Sequence, residues 1–263
     1  MPKAGIVLQE KENLLLNGSN TYRMLSKNEL KYIQSLCQKK QRQAEGLFVA
    51  EGTKLADELL HSEYPIRKIY ALADWKPPAL TYRPVVTISE KELQKISCLQ
   101  TPNKVLIIAE QKGEASQPDL ANEFTLVLDG IQDPGNLGTI IRTADWFGVT
   151  QVIASEHTVE LYNPKVIQST MGSFIRVKLW YQPLPEFLSL CKLPVYGALL
   201  KGEPINLVPG ISKGVLVIGN ESKGISKELL PFITHPVTIP GIGGAESLNA
   251  AVATGIVLSH LKK

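Results

Sequence analysis

The residues of this chain with the most chemical promise fall in three short loops. The first, Asp129-Gly130-Ile131-Gln132-Asp133-Pro134-Gly135-Asn136-Leu137-Gly138, runs into an apolar helix that carries Arg142 among Ile140, Ile141, Ala144, Trp146 and Phe147. Asn136 is a helix-capping residue type, and Gly135 and Gly138 permit close backbone approach. An arginine inside an apolar helix usually meets an anion. The plain alternative is an ion pair between Arg142 and Asp145. The second loop, Val217-Ile218-Gly219-Asn220-Glu221-Ser222-Lys223-Gly224, brings one carboxylate and several small residues to the end of an apolar run. The third, from Val237 to Asn249, is glycine-rich and opens a final helix whose first turn is expected to offer Ser247 and Asn249. Each loop alone reads as a turn with a cap. Together they describe a backbone-lined crevice at the carboxyl ends of parallel strands, where α/β sheets bind ligands.

Several near-matches fall away on chemical grounds. Gly219 to Ser226 resembles a P-loop, but Ile225 stands where a phosphate-contacting lysine is needed. Gly241-Ile242-Gly243-Gly244 is not a dinucleotide fingerprint and precedes the last helix rather than following the first strand. Tyr162-Asn163-Pro164-Lys165 lacks the aromatic residue of an NPPY-type amino-methylase loop. The four histidines show no metal spacing, so no metal site is expected, and there is no GxSxG nucleophile elbow.

The elements that must position these loops alternate in type. Short runs apolar on both faces (124–128, 151–154, 176–179, 195–199, 215–218) are separated by helices, which predicts a parallel sheet covered on both sides. The last helix, expected over about 247–260, is nearly all small or apolar and must be buried on most of its surface. Ahead of the polar segment 111–122, read as a linker, lies a smaller α/β unit over 23–110. Its expected strands are at 47–50, 66–72, 84–87 and 105–109. Its helices open near Ser26, Gly52 and Ser89, and Ser26 and Ser89 are each followed three residues on by a glutamate. Residues 1–22 read as a flexible arm. The remainder, 123–263, is the larger unit.

The 263 residues carry a net charge of only +3, but residues 23–42 hold six basic residues against Glu29 alone. That stretch suits a polyanion or simply a solvated helix face. An apolar content of 44% excludes a disordered chain, and no run is long enough to span a membrane. Cys37, Cys98 and Cys191 are far apart and odd in number, which speaks against a disulfide framework and for a reducing cytoplasm. The first residues lack the apolar core of a secretory signal.

NLGTIIRTA, IGNESKG and IPGIGGAESLNAAVATGI resemble, in order and spacing, the three motifs of SpoU/TrmH-family RNA ribose 2′-O-methyltransferases of the SPOUT superfamily. The segment KYIQSLCQKKQRQAEGLFVAEGTKLADELL is similar to the RNA-substrate-binding unit often fused ahead of them. The resemblance implies a SPOUT-type parallel sheet, here over 123–263, whose C-terminal part is threaded into a trefoil knot. It implies S-adenosyl-L-methionine held by Leu199, Gly219, Asn220, Glu221, Gly224, Ile239, Leu248 and Asn249. Asn136 and Arg142 match the catalytic pair, with Glu221, Ser247 and Asn249 completing the polar shell. In that chemistry a ribose 2′-hydroxyl attacks a sulfonium methyl, and nearby positive charge stabilises the developing alkoxide. Arg142 suits that role better than that of a base, because a guanidinium keeps its proton near neutrality. Lys39, Lys40 and Arg42 are expected to contact RNA phosphates. Two positions depart from the family pattern: Gly241, where methionine is common, and Ala250-Ala251, where Val-Ser is common.

The partners so implied are an RNA and a second copy in a homodimer, with no membrane and no metal. Ribosomal RNA is the expected substrate and transfer RNA the alternative. A catalytically silent knotted RNA-binding protein and a knotted enzyme acting on a base are the other readings.

Overall fold

The computed structural model describes residues 24–78, 84–113, 117–119 and 122–262. The expected arm at 1–22 lies outside the described residues. The first part of the chain runs α1 (Lys27–Ser35), α2 (Lys39–Glu45), β1 (Leu47–Glu51), α3 (Thr53–Leu60), β2 (Ile66–Ala71), β3 (Val85–Thr87), α4 (Glu90–Ile96) and β4 (Val105–Glu110). Ser26 accepts the Glu29 amide at the start of α1, and Ser89 with Glu92 forms a reciprocal capping box on α4. The four strands form one sheet in the order β1-β4-β2-β3, antiparallel except for β2 with β3.

The second part runs β5 (Phe124–Leu128), α5 (Pro134–Trp146), β6 (Gln151–Ala154), α6 (Pro164–Thr170), β7 (Lys178–Tyr181), α7 (Leu184–Ser189), β8 (Val195–Pro204), β9 (Gly214–Ile218), β10 (His235–Thr238) and α8 (Ala250–Leu261). Its six strands are all parallel, in the order β10-β8-β9-β5-β6-β7. β5, β6 and β9 are buried along their whole length, as their largely apolar runs demand, and the two polar members, Gln151 and Thr125, are hydrogen-bonded to each other. The winding reverses at β5, which lies between β6 and β9, so the loops after β5 and β9 meet at the carboxyl edge of the sheet.

The structure departs from the sequence expectations in several places, among them β8, which runs five residues beyond the expected end at 199. β7 begins two residues later than expected, because Ser173–Ile175 makes a 3₁₀ turn first. β10 was not anticipated: Pro236 argues against a strand, yet β10 is an edge, where a missing N–H is tolerated. α8 starts at Ala250 rather than Ser247, because the Asn249 side chain accepts from the amides of Ala251 and Val252 and sets the first turn there. Lastly, Cys37 and Cys98 are joined in a disulfide, against the expectation that three distant cysteines form no disulfide framework. The fold brings their Cα atoms to 5.5 Å across 61 residues, a proximity no local spacing could reveal.

One buried apolar cluster runs through both parts: Phe48, Leu55, Leu59 and Ile107 belong to the same cluster as Phe124, Val166 and Phe174. Among the described residues no helix is long and apolar enough to cross a membrane.

Candidate active site

Local sequence sets the geometry of the first loop. Asp133, not Asn136, is the N-cap of α5: its Oδ1 accepts the Asn136 amide at 2.9 Å, and Pro134 occupies the first helical position. This corrects the capping role expected of Asn136 and leaves its carboxamide free for tertiary contacts. Asn136 Nδ2 donates to Glu221 Oε1 at 2.7 Å, and Asn249 Nδ2 donates to Asn136 Oδ1 at 2.9 Å. Asn249 Oδ1 meanwhile accepts from Ala251 N at 2.9 Å. Three side chains from three separate loops thus form one relay, Asn249 to Asn136 to Glu221. Each amide is oriented by its neighbours and by the start of a helix.

The second loop is held by its own backbone and by Asn220. Asn220 and Gly224 exchange both backbone hydrogen bonds. The Asn220 side chain donates to Gly130 O at 2.7 Å and accepts from Ser222 N and Lys223 N. A Cβ on Gly219 would lie 2.2 Å from the Gly224 carbonyl carbon, so only glycine lets the loop fold back on itself. Asn220 was expected to bind cofactor. Its side-chain amide ties the loop after β9 to the loop after β5, and the residue also lines the neighbouring cavity.

These loops enclose a cavity of about 880 Å³. Of the residues expected around a cofactor, Leu199, Gly219, Asn220, Glu221, Gly224, Ile239 and Leu248 line it, and so does Ser247. Asn249 does not line the cavity and joins only through Asn136. Gly241 lines it with open space where a side chain would project. Ala250 lines it as well, and Ala251 is buried. Apolar walls from Ile218, Leu199, Ile239 and Val257, beside the small residues Gly219 and Gly224, suit an adenosine-bearing cofactor. No cluster able to hold a metal ion occurs among the described residues.

Arg142 is placed differently. It is exposed on α5, is not part of the cavity wall, and has no ion-pair or hydrogen-bond partner among the described residues. The alternative pairing with Asp145 is excluded, because that carboxylate is taken by Arg176 Nε at 3.0 Å and Nη2 at 2.8 Å.

The basic segment also divides. Lys39 and Lys40 are exposed on α2, as expected of phosphate-binding lysines. Arg42 is 1% exposed: its Nη1 donates to Leu36 O and Cys37 O, and its Nη2 pairs with Glu160. The expectation that Arg42 contacts RNA phosphates is therefore wrong. Its Nη1 and Nη2 are engaged by the carbonyls after α1 and by a carboxylate of the other sheet's unit, its Nε is buried without a partner, and so no face of the guanidinium is open to a phosphate. The signals that sequence reasoning missed are Asp133-Pro134, a cap followed by a first-turn proline, and Glu160, which no local pattern distinguishes.

Comparison with known proteins gives these contacts a context. The SpoU rRNA methylase family profile matches residues 123–259, and that of the MRM3-like substrate binding domain matches residues 27–107. The 23S rRNA (guanosine(2553)-2′-O)-methyltransferase RlmP of Bacillus subtilis (strain 168) is 32% identical over 231 residues, covering 85% of this chain and 92% of that protein. A solved TrmH-family structure from Porphyromonas gingivalis superposes with a TM-score of 0.79 at 36% identity, covering 91% of this chain and 99% of that one. The AdoMet-bound rRNA methyltransferase of Sinorhizobium meliloti superposes with a TM-score of 0.77 at 29% identity, covering 90% and 95%.

Proposed function

Because the chain belongs to the SpoU rRNA methylase family, its reaction is S-adenosylmethionine-dependent methylation of a ribose 2′-hydroxyl in ribosomal RNA, and we propose that the Asn249–Asn136–Glu221 relay at the cavity mouth is where that reaction is organised. The observation that carries this reading is the relay itself: three polar side chains from three loops, in mutual hydrogen-bond contact beside a glycine-lined apolar cavity.

S-adenosylmethionine supplies an electrophilic methyl group when bound. The chain's residues do the rest. Leu199, Ile239 and Leu248 give the cavity apolar walls, and Gly219, Glu221 and Gly224 bring the loop after β9 beside them. Asn136 is held with both amide atoms engaged, so it presents a fixed orientation to an incoming ribose. Placing reactants in this way can lower a barrier by roughly 7–11 kcal/mol at best. Arg142 acts as a cation, holding the neighbouring phosphate and stabilising negative charge on the 2′-oxygen.

A homodimer completes the reading. Trp146, one turn after Arg142, is 85% exposed, and Val252 on the adjacent α8 is 51% exposed. An apolar face of that kind fits a second copy of the chain. Covering it would place Arg142 in an interface of lower dielectric, where its charge acts more strongly. The trefoil knot, the division at 111–122 into an RNA-recognition unit over 23–110 and a catalytic unit over 123–263, and a cytoplasmic location belong to the same proposal. The two separate sheets and the two matched profiles support the division.

The test is methyl transfer from labelled S-adenosylmethionine to unmodified large-subunit rRNA and to transfer RNA, with nucleoside analysis of the product. 2′-O-methylated nucleoside from rRNA, lost in Arg142→Ala and Asn136→Ala, is the expected result. Base-methylated product, label in transfer RNA alone, or undiminished turnover in both variants overturns the assignment.

A further inference from the structure

Two arginines that the catalytic reading leaves unused lie where the two sheets' units meet. Arg42 is sealed at the α1–α2 turn and reaches across to Glu160, in the segment before α6. Arg176 stands between Glu58 on α3 and Asp145 on α5, with Nη1 2.6 Å from Glu58 and Nη2 2.8 Å from Asp145. The surface between them is aromatic. Phe48 packs on Tyr162 and edge-on to Phe174, and the Tyr64 and Tyr162 hydroxyls lie 2.9 Å apart. The Tyr162 hydroxyl also donates to Lys112 O and accepts from Lys112 N, which ties down the chain leaving β4. At Gly172 the approach is so close that a Cβ would meet Glu58 Cγ at 2.5 Å. This is a fitted contact with specific charge pairs at both ends, not a tether between two free modules.

The consequence concerns substrate choice. α2 presents Lys39 and Lys40 outward, and Arg42 plants the same helix on the catalytic unit. The first turn of α5 carries Asn136, and its last turn carries Asp145, held by Arg176. We propose that Arg42 and Arg176 are positioning residues that lock the recognition unit to α5 in one register, so that the enzyme selects its nucleotide by a fixed reach across a folded RNA that touches both units. This rests on the functional reading above and adds the substrate class: a structured RNA spanning both surfaces, not a short single strand. A rigid span converts phosphate contacts, which carry no sequence information, into a choice of position.

The experiment compares two RNAs, folded large-subunit rRNA and a short oligonucleotide containing the methylated position, using wild type, Arg176→Gln, Arg176→Lys and Glu58→Gln. Arg176 is half exposed, so its variants are expected to fold. The expected result is a loss of kcat/KM on the folded RNA of about tenfold or more in Arg176→Gln and Glu58→Gln. The oligonucleotide rate should stay unchanged, and Arg176→Lys should partly restore the folded-RNA rate. Equal losses on both RNAs, or no loss on either, overturn the proposal. Scanning calorimetry of the full chain tests the locking without any methylation assay. A single unfolding transition in wild type that splits in Arg176→Gln supports it, and two separate transitions in wild type overturn it. Should wild type methylate no RNA, the functional reading fails while calorimetry still decides the locking.

Discussion

Helix α2 buries its arginine, whereas helix α5 leaves its own in solvent. Arg42 sits in a run of lysines and is sealed against Glu160 and two carbonyls. Arg142 sits among isoleucines and alanines and has no partner among the described residues. The surroundings in sequence are the reverse of the surroundings in space. A charged neighbourhood along the chain does not keep a guanidinium at the surface when a carboxylate from another element faces it. An apolar neighbourhood does not bury one when its side of the helix points outward. What each arginine does follows from this. Arg42 is committed to architecture, and Arg142 is available for a ligand or a second copy.

The sharpest way to break the contrast is to truncate both. Arg142→Ala is expected to lower methyl-transfer turnover by about 10²–10³-fold, the scale for losing one donor to a developing oxyanion. Its stability to urea should stay within about 0.5 kcal/mol of wild type, because the side chain is exposed and unpaired. Arg42→Met should do the opposite, costing about 3–5 kcal/mol in urea denaturation by leaving the buried-side Glu160 carboxylate unpaired. Adding Glu160→Met should recover most of that loss. If Arg42→Met unfolds no more easily than Arg142→Ala, the contrast fails.

Two further measurements refine the α2 side. The Cys37–Cys98 bond closes a 61-residue separation and pins the turn that holds Arg42. The double change Cys37→Ser with Cys98→Ser is expected to cost about 2–4 kcal/mol, read from the denaturation midpoint under oxidising conditions. The smallest effect belongs to the exposed lysines. Lys39→Gln with Lys40→Gln should leave stability unchanged and reduce the salt dependence of RNA binding by about one unit of log–log slope per lysine. An unchanged slope would remove α2 from the RNA surface.

Much of the fold was legible before any coordinates. The largely apolar runs of β5, β6 and β9 require burial on both faces, and a parallel sheet between helices is the arrangement that provides it. Ser26 and Ser89 marked helix starts through local capping chemistry. Elements governed by neighbours escaped notice. β10 exists only because an edge tolerates Pro236, and the first turn of α8 moved because Asn249 caps it.

For the site, the sequence determined which residues are present and in what order: the glycines that let the loop after β9 close on itself, and Asn136, Glu221 and Asn249 in three separated loops. Backbone conformation and loop sterics are local properties, and local properties can be read along a chain. Only the tertiary structure decided that those three side chains touch, that Arg42 is spent on Glu160, that Cys37 finds Cys98 and that Arg142 faces outward. Hydrogen bonds, ion pairs and disulfides depend on distances between atoms remote in sequence, and those distances exist only once the sheets have packed.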